Sequence, residues 1–288
     1  EATRQLTGSN IPYLKNKLSK YAKKNDLDIG KLKNTIEKNR LALFNLREKR
    51  IHPLKDDKVL TDWNGLMIAA FANGGKILGN DKYLSAAENA ADFILNNLRD
   101  NNGRLFKRYR LGSSGLQPHI DDYAFLIWGL LNLYEAGFKV HYLEAAVEIA
   151  EIMVSDFIDE ENGGFFIGPE NGEKLIVRAK DSYDGAIPSG NAVAAMNCIR
   201  LSKFTGNMKW DEIAQKTFLA FSDGINRVPS AHSFMLTSFM FGEESPKEIV
   251  VVSKEKDSEA ISMVRKIQSS YNPHSILILK NMDDTKTL

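Results

Sequence analysis

The fold of this chain is decided by residues 120–136, IDDYAFLIWGLLNLYEA. Apolar residues occupy nearly every side of a helix with 3.6 residues per turn, so we expect protein to cover most of this segment's surface. Residues 142–157 also have a helical pattern, but their apolar residues form a single stripe. The two segments therefore predict a hairpin of one inner and one outer helix.

The same pairing of a densely apolar segment with an amphipathic one recurs before and after this hairpin. The two further pairs are residues 62–78 with 83–98, and residues 192–205 with 210–221. Asp57, Asp122 and Asp184 lie before or at the start of the dense segments and are 65 and 62 residues apart. A helical hairpin that repeats about every 60 residues indicates a repeat architecture. We interpret it as a mainly α fold of the (α/α)6 toroid type, with an irregular helical array as the alternative.

The tail of the chain departs from this repeat. The apolar runs EIVVV at 248–252 and SILIL at 275–279 flank a helical segment at 258–270, which predicts a strand, a helix and a strand. We interpret the two strands as a buried, parallel pair. This tail is expected to form a small βαβ appendage, residues 243–288.

The remaining residues, 1–242, are expected to form the α/α barrel region. Two polar helices are predicted at 12–25 and 31–50, ahead of the repeats. About four inner–outer hairpins follow, the last of them with the weakest pattern.

Composition and charge exclude several classes of protein. The 288 residues include 38 Lys and Arg against 37 Asp and Glu, a net charge of +1, which argues against a broad nucleic-acid-binding surface. The apolar stretches are far shorter than the roughly 20 residues that a membrane helix needs, and residues 1–10 do not resemble a signal peptide. We therefore expect no nucleic-acid or membrane partner, and a cytoplasmic location.

Cysteine and histidine usage argues against a thiol or metal site. Cys198 is the single cysteine, so the chain has no internal disulfide, CxxC pair or zinc–cysteine cluster. It lies in a dense inner segment, where a thiol is expected to be inert core. The five histidines are scattered without metal-ligand spacing. We expect neither a metal nor a cofactor.

Polar and aromatic residues gather just before the predicted inner helices, at the end of the toroid that we call the mouth. Loops that enter the inner helices meet at this end, so their side chains are expected to converge in a concave site. Carboxylates and amides bind hydroxyl groups and aromatic rings stack on sugar faces, so this composition suits a polyhydroxylated ligand. The candidate proton-transfer groups are Asp122, Asp184 and His119. The candidate ligand-binding residues are Trp63, Asn64, Asp57, Tyr123, Arg178, Asp181, Ser189 and Asn191.

Each of these residues also has a structural explanation. Asp and Ser before a helix commonly cap its unpaired backbone N–H groups, a role that fits Asp62, Asp121 and Ser189. Trp63 at a helix start fits a core position, and His119 fits a hydrogen-bonded structural role. Capping alone does not explain the arginine, lysine and aromatic residues that accompany the caps.

Three motifs in these loops resemble a known family. They are DDKVLTDWNGLMI at 56–68, DDYAFLI at 121–127 and RAKDSYDGAIPSGN at 178–191. They are similar to the C-terminal part of the thioredoxin-domain-containing, spermatogenesis-associated protein family, formerly a domain of unknown function. The resemblance covers roughly residues 7–221, and the βαβ tail is similar too.

The resemblance implies a full protein with an N-terminal thioredoxin-like domain followed by a six-hairpin (α/α)6 barrel, similar to glycoside hydrolases and N-acylglucosamine 2-epimerases. This chain contains no thioredoxin-like segment, so we expect no thiol chemistry from it. We expect the first barrel hairpins to lie upstream and the barrel to be incomplete here. Epimerase relatives use a pair of histidines that face the barrel centre, for which His119 and His232 are the candidates.

Three functional hypotheses follow. The first is a carbohydrate-active enzyme, either a sugar epimerase or isomerase or a glycoside hydrolase. The second is a non-catalytic ligand-binding or interaction module that accompanies a thioredoxin-like domain. The third is a structural helical scaffold. Because an incomplete toroid would expose apolar inner surface, we also expect self-association.

Overall fold

The computed structural model of the chain describes residues 13–244, 246–254 and 257–282. The chain divides into two compact units, Glu1–Asp57 and Lys58–Leu288. The first unit holds two largely exposed helices, α1 (Leu18–Lys24) and α2 (Ile29–Arg47).

The two helices of the first unit differ in how they begin. Asp28 caps α2 by accepting a hydrogen bond from the backbone N–H of Lys31 at 2.7 Å. Helix α1 has no capping side chain and no acidic residue in its first turn. It begins at Leu18, later than the predicted residue 12, and Pro12 itself lies outside the described residues.

The second unit is built from successive helical hairpins. Its helices are α3 (Thr61–Leu78), α4 (Asp81–Asn97), α5 (Ile120–Gly137), α6 (Val140–Phe157), α7 (Gly190–Thr205), α8 (Lys209–Arg227) and α9 (Ser233–Glu243). The inner helices α3, α5, α7 and α9 pack against one another in chain order, and α4, α6 and α8 each cover the inner helix that precedes them. This confirms the predicted α/α arrangement. In the described residues α9 is followed by a strand, so three hairpins are complete and the fourth has its inner helix only.

Small residues let the first two inner helices approach closely. A side chain at Gly65 of α3 would collide with the backbone at Phe125 and Leu126 of α5. A side chain at Gly129 of α5 would collide in turn with Gly65 and Ile68. Two glycines that face each other across a crossing bring the helix backbones into contact, which explains why α5 is buried along nearly its whole length.

A small antiparallel sheet lies at the start of α3. Its strands are β1 (Val59–Leu60), β2 (Arg108–Arg110) and β3 (Ser113–Gly115), in the order β1-β2-β3. The backbone N–H of Thr61 donates to the carbonyl oxygen of Lys107 at 3.0 Å, which continues the ladder into the first turn of α3. This hydrogen bond places Lys107, the residue before β2, next to the first turn of α3 at the mouth.

The tail forms the predicted βαβ appendage, with β4 (Lys247–Ser253), α10 (Ser258–Gln268) and β5 (Ser275–Asn281). The two strands pair in parallel over their whole length, from Lys247 opposite Ser275 to Ser253 opposite Asn281. No helix in the described ranges is both long and apolar enough to cross a membrane.

Candidate functional site

The mouth is formed by the first turns of the inner helices, and buried carboxylates join them. Asp122, in the first turn of α5, is completely buried. Its Oδ2 accepts a hydrogen bond from the backbone N–H of His119 at 2.8 Å, and its Oδ1 accepts one from the backbone N–H of Asp62 at 3.2 Å. Since Asp62 lies in the first turn of α3, one carboxylate satisfies N–H groups at the starts of two neighbouring helices.

Lys107 supplies the positive charge at this point. Its Nζ lies 3.2 Å from Oδ2 of Asp62 and 3.2 Å from Oδ2 of Asp122. Burial raises the pKa of Asp122 to about 7, although Lys107 acts against the shift. Burial alone would lower the pKa of Lys107, but the two carboxylates outweigh it and raise the pKa above its ordinary value. The three side chains therefore form one charged unit.

Two titratable side chains at the same helix start remain accessible. His119 is exposed, and partial desolvation together with the charge of Lys107 lowers its pKa. Asp121 is half-buried, and this burial raises its pKa, although Lys107 and a hydrogen bond from the backbone N–H of Gly190 act against the shift. A side chain at Gly190 would collide with the Asp121 carboxylate, so α7 begins directly beside it. The mouth cluster is defined by these five side chains, Asp62, Lys107, His119, Asp121 and Asp122.

Asp184 joins the last two inner helices. Its Oδ1 accepts a hydrogen bond from the backbone N–H of Ser189 at 2.8 Å, just before α7. Its Oδ2 accepts from the backbone N–H groups of Phe234 at 2.7 Å and Met235 at 3.2 Å, in the first turn of α9. Both oxygens are thus used as caps, and the proton-transfer role predicted for Asp184 stays a prediction.

Ser189 and Asn191 hold the start of α7 in place. The Ser189 hydroxyl accepts from the backbone N–H of Ala192 at 3.3 Å as the N-cap. Asn191 is completely buried, and its side chain pairs with both the N–H and the carbonyl of Phe165, at 2.7 and 2.9 Å. Its amide also donates to the carbonyl of Asp181 at 2.8 Å. The side chains of Ser189 and Asn191 thus form their hydrogen bonds with backbone groups of the protein itself.

Arg178 and Lys180 fasten the loop before α7 to the end of α6. The Arg178 guanidinium donates to the carbonyl of Gly168 at 3.0 Å and lies over the Phe166 ring at 3.9 Å. Lys180 Nζ lies 2.7 Å from Oδ2 of Asp159. The hydrogen bond from Lys180 lowers the pKa of Asp159 to about 2. Arg178 therefore contacts Gly168 and Phe166 rather than the mouth cluster, and its predicted ligand-binding role stays a prediction.

The aromatic residues of the mouth divide into exposed and buried ones. Trp63 is 63% exposed, and Tyr183 is 61% exposed, so both present a ring face to solvent. Tyr123 has no exposed surface; its ring packs on Phe157, and its hydroxyl accepts from the backbone N–H of Leu105 at 3.0 Å. Trp63 thus has the accessibility that stacking requires, whereas Tyr123 belongs to the core.

The other predicted site residues lie in different surroundings. The Asn64 amide donates to the carbonyl of Leu60 at 2.7 Å. Asp181 is exposed, and its carboxylate accepts from the backbone N–H of Tyr183 at 2.9 Å. His232 is buried, with Nδ1 3.0 Å from the carbonyl oxygen of Val228. Asp57 is the last residue of the first compact unit, and its role as a ligand contact stays a prediction.

A cleft of about 370 Å³ lies between the turn that follows α4 and the loop that enters α5. Its polar walls include Arg104, Gln117 and Asn171, and its apolar walls include Leu116 and Pro118. Arg104 is held in place by a bidentate pair with Asp156, at 2.7 and 2.9 Å. Because His119 directly follows Pro118, the cleft adjoins the mouth cluster along the chain.

The sequence did not single out Lys107, and it identified Asp62 and Asp121 as candidate helix caps without placing them among the candidate proton-transfer or ligand-binding residues. Lys107 reaches the mouth through the pairing of β1 with β2, which has no signature in strands of two and three residues. A signal for Asp121 was present, since it stands beside Asp122 in the motif at 121–127. Cys198 is completely buried, which raises its pKa to about 12 and agrees with the expected inert thiol.

Solved structures show where this fold has been seen before. The chain resembles a cellobiose 2-epimerase from Bacillus thermoamylovorans with a TM-score of 0.55 and 14% identity, covering 77% of this chain and 62% of the other. It resembles a GH76 α-mannanase from Bacteroides thetaiotaomicron with a TM-score of 0.53 and 16% identity, covering 75% and 59%. At these identities the likeness establishes the fold, a six-hairpin (α/α) barrel represented in part.

Sequence comparison gives a more specific result. The chain is 33% identical to spermatogenesis-associated protein 20 of Homo sapiens over 294 aligned residues, and 31% identical to that of Rattus norvegicus. Each alignment covers 99% of this chain and 37% of the relative, so the chain spans little more than a third of these proteins. No family model matches the chain. The chain is therefore homologous to a part of spermatogenesis-associated protein 20.

Proposed function

We propose that this chain binds a carbohydrate at the mouth cluster and transfers a proton on it, as a sugar epimerase or isomerase or as a glycoside hydrolase. The observation that carries the proposal is the arrangement of the accessible His119 and the half-buried Asp121 around Lys107. The inner members, Asp122 and Asp62, hold Lys107 in position through ion pairs of 3.2 Å. His119 and Asp121 therefore lie beside ion pairs that hold Lys107 in a fixed position.

The two accessible groups suit opposite roles in proton transfer. The lowered pKa of His119 keeps its imidazole neutral and able to accept a proton at neutral pH. The raised pKa of Asp121 brings its carboxyl closer to the range in which it can donate one. Asp121 thus replaces the buried Asp122 as the carboxyl that we propose to meet substrate.

Binding would use the exposed rings and the cleft. Trp63 adjoins Asp62 in the chain and offers a ring for stacking on the apolar face of a sugar. The cleft of about 370 Å³ offers Gln117 and Asn171 for hydroxyl groups. The two solved structures with the same fold carry the names of a cellobiose 2-epimerase and an α-mannanase, which makes disaccharides the first substrates to test.

A second candidate function is a non-catalytic ligand-binding or interaction module. It is favoured by the use of Asp122 and Asp184 as internal caps and by the pairing of Asn191 with the backbone of Phe165, which leave fewer polar groups for chemistry than the sequence suggested. Under this alternative the partner would be a thioredoxin-like domain in a longer protein, and self-association of the exposed inner surface is a further possibility to test.

The test combines a binding and a proton-transfer measurement. The folded chain is titrated calorimetrically with cellobiose, mannobiose and N-acetylglucosamine, and the same sugars are incubated in D2O to follow exchange at C2 by NMR. Release of reducing ends reports hydrolysis. The variants are Trp63→Ala and Asp121→Asn, with Tyr21→Ala as a matched control because Tyr21 is an exposed aromatic of the first unit.

We expect Trp63→Ala to weaken binding at least tenfold and Asp121→Asn to abolish exchange or hydrolysis while binding persists. Tyr21→Ala should change neither. Binding without any turnover by the unmodified chain would support the interaction module. A folded chain that binds no sugar would refute the proposal.

A further inference from the structure

A second cavity lies between the inner helices and is lined mainly by residues beyond their first turns. It has a volume of about 500 Å³ and is lined by α3, α5, α7 and α9, with the segment between α10 and β5 as an additional wall. The appendage is attached here by two hydrogen bonds to Glu135 of α5. Gln268 donates to its carbonyl at 2.7 Å, and the backbone N–H of Leu277 donates to its Oε1 at 3.0 Å. We call this space the inner cavity.

Three charged side chains line the inner cavity, and their charges do not balance. Arg200 lies 3.0 Å from Oε2 of Glu135, and Lys76 Nζ lies 3.8 Å from the same oxygen. Among the residues that line the cavity, Lys76 and Arg200 are the cations and Glu135 is the carboxylate. One carboxylate thus faces two cations, which leaves a local surplus of one positive charge.

This surplus is costly because the three charged side chains are largely buried, with that of Lys76 the most exposed of them at 20%. Arg200 is 7% exposed and Glu135 is 6% exposed. Burial lowers the pKa of Lys76 and of Arg200, although Glu135 acts against the shift in both. A desolvated cation without its own counter-ion is stabilised strongly by an anion that enters the site.

The other walls suit a small organic molecule. Asn73, Asn132 and Thr237 supply hydrogen-bonding groups on three different inner helices. Trp128 and Phe234 form an aromatic wall, with their ring centroids 5.1 Å apart. A volume of about 500 Å³ lies within the roughly 300–1,000 Å³ range of small-molecule sites.

We propose that the inner cavity binds a small organic anion, a carboxylate or phosphate monoester with a hydroxylated body, whose negative group lies between Lys76 and Arg200. Glu135 would orient both cations, and the amides and the aromatic wall would contact the body of the ligand. This site shares no side chain with the mouth cluster. The inference therefore stands whether or not the mouth binds sugar.

The first experiment compares anionic with neutral probes on the unmodified chain. Glucuronate, glucose 6-phosphate, inorganic phosphate and glucose are titrated calorimetrically at fixed ionic strength. We expect at least one of the two sugar anions to bind tenfold or more tightly than glucose, and the preference between them identifies carboxylate or phosphate as the anionic group. Equal binding of glucose and both anions, or no binding at all, would overturn the proposal.

Variants then locate the site. Lys76→Met removes the surplus charge while the Arg200–Glu135 pair stays intact, and we expect it to weaken anion binding at least tenfold. The matched control is Lys209→Met, since Lys209 is an exposed lysine paired with Glu151 at 2.7 Å on the outer helices. It should leave anion affinity unchanged. Equal losses in the two lysine variants would mean unspecific charge attraction and would refute the site.

Glu135→Gln tests whether removing the negative charge of Glu135 strengthens anion binding. The amide oxygen can still accept from the backbone N–H of Leu277, in place of Oε1, whereas the ion pair of Oε2 with Arg200 is lost. The competing negative charge is gone, so anion binding should tighten severalfold. Weaker anion binding by a folded Glu135→Gln protein would contradict the roles proposed for Lys76, Arg200 and Glu135. The comparison of probes on the unmodified chain decides the question even if a variant does not fold.

Discussion

The mouth cluster and the inner cavity each contain a largely buried group of ion pairs, but the arrangement of charges is reversed. At the mouth, Asp62 and Asp122 surround Lys107; in the inner cavity, Lys76 and Arg200 surround Glu135. A helix carries partial positive charge at its N-terminus and partial negative charge at its C-terminus. Carboxylates at the first turns and cations towards the last turns therefore both follow the helix dipole.

Glu135 is the exception, and it shows how the two groups differ. It lies near the C-terminal end of α5, where the dipole disfavours a negative charge. Its carboxylate is held there by the two cations and by one hydrogen bond from the appendage, donated by the backbone N–H of Leu277. The carboxylates of the mouth instead satisfy backbone N–H groups directly, so the mouth is a capping network and the inner cavity is an ion cluster. The predictions below test this difference, in order of decreasing effect on stability.

The largest effect is expected for Asp122→Ala. Two buried backbone N–H groups, those of His119 and Asp62, would lose their acceptor, and Lys107 would keep only one partner. Loss of one member of a buried network costs about 3–5 kcal/mol, so we expect a loss in the free energy of unfolding of about 3 kcal/mol. Urea denaturation measures it. Asp121→Asn is the control, and a similar loss there would contradict the assignment of Asp122 as the structural carboxylate.

A smaller effect is expected for Arg200→Met in the inner cavity. Glu135 would keep Lys76 as a partner, so the expected loss is about 2 kcal/mol. Adding Glu135→Gln should restore about half of it, because the uncompensated carboxylate is removed while an acceptor for Leu277 remains. Denaturation of the two single variants and the double variant closes the cycle. If the changes in the free energy of unfolding of the two single variants simply add in the double variant, Arg200 and Glu135 are not coupled.

The next effect is pH-dependent and lies outside both groups. The hydrogen bond from Lys180 holds the pKa of Asp159 at about 2, below its ordinary value, so the ionised carboxylate stabilises the fold. That contribution is present above about pH 4 and is lost as the pH falls through about 2. Asp159→Asn should therefore cost about 1–2 kcal/mol at neutral pH, and the difference from the unmodified chain should shrink on acidification. A constant difference between pH 7 and pH 2 would refute this assignment.

The smallest effect on stability is expected for Trp63→Ala. The side chain is 63% exposed, so its removal should change the free energy of unfolding by less than about 0.5 kcal/mol. The same substitution should have a large effect on sugar binding. A thermal melt with and without saturating disaccharide separates the two quantities. A large loss of stability would show that Trp63 is a packing residue rather than a binding surface.

Most of the fold could be predicted from the sequence because the helical period is strong and repeats. The inner segment of α5 was expected at 120–136, and the helix spans Ile120–Gly137. The βαβ tail followed from two apolar runs and an amphipathic helix. The three-stranded sheet was missed, since strands of two and three residues are too short to show a period.

The candidate site was harder to predict, because a motif shows which residues are present but not what they bond to. The sequence predicts that Asp122 and Asp184 face a ligand, yet the carboxylate oxygens of both accept hydrogen bonds from backbone N–H groups. The sequence pattern does not predict the ion pairs of Lys76, Glu135 and Arg200 in the inner cavity. These three residues stand within helices, among apolar neighbours. Arg200 and Glu135 are 65 residues apart, close to the repeat period, and this spacing was the signal that could have revealed them.

The carboxylates that link one inner helix to the next have a consequence for how the polypeptide is made. The N–H of Asp62 at the start of α3 gains its acceptor only when Asp122 has left the ribosome, 60 residues later. At roughly 5–20 residues per second, this delay is about 3–12 seconds. The first hairpin therefore waits, with the first turn of α3 incomplete, for the start of α5 to emerge. We expect the start of α3 to mature only after that point of synthesis.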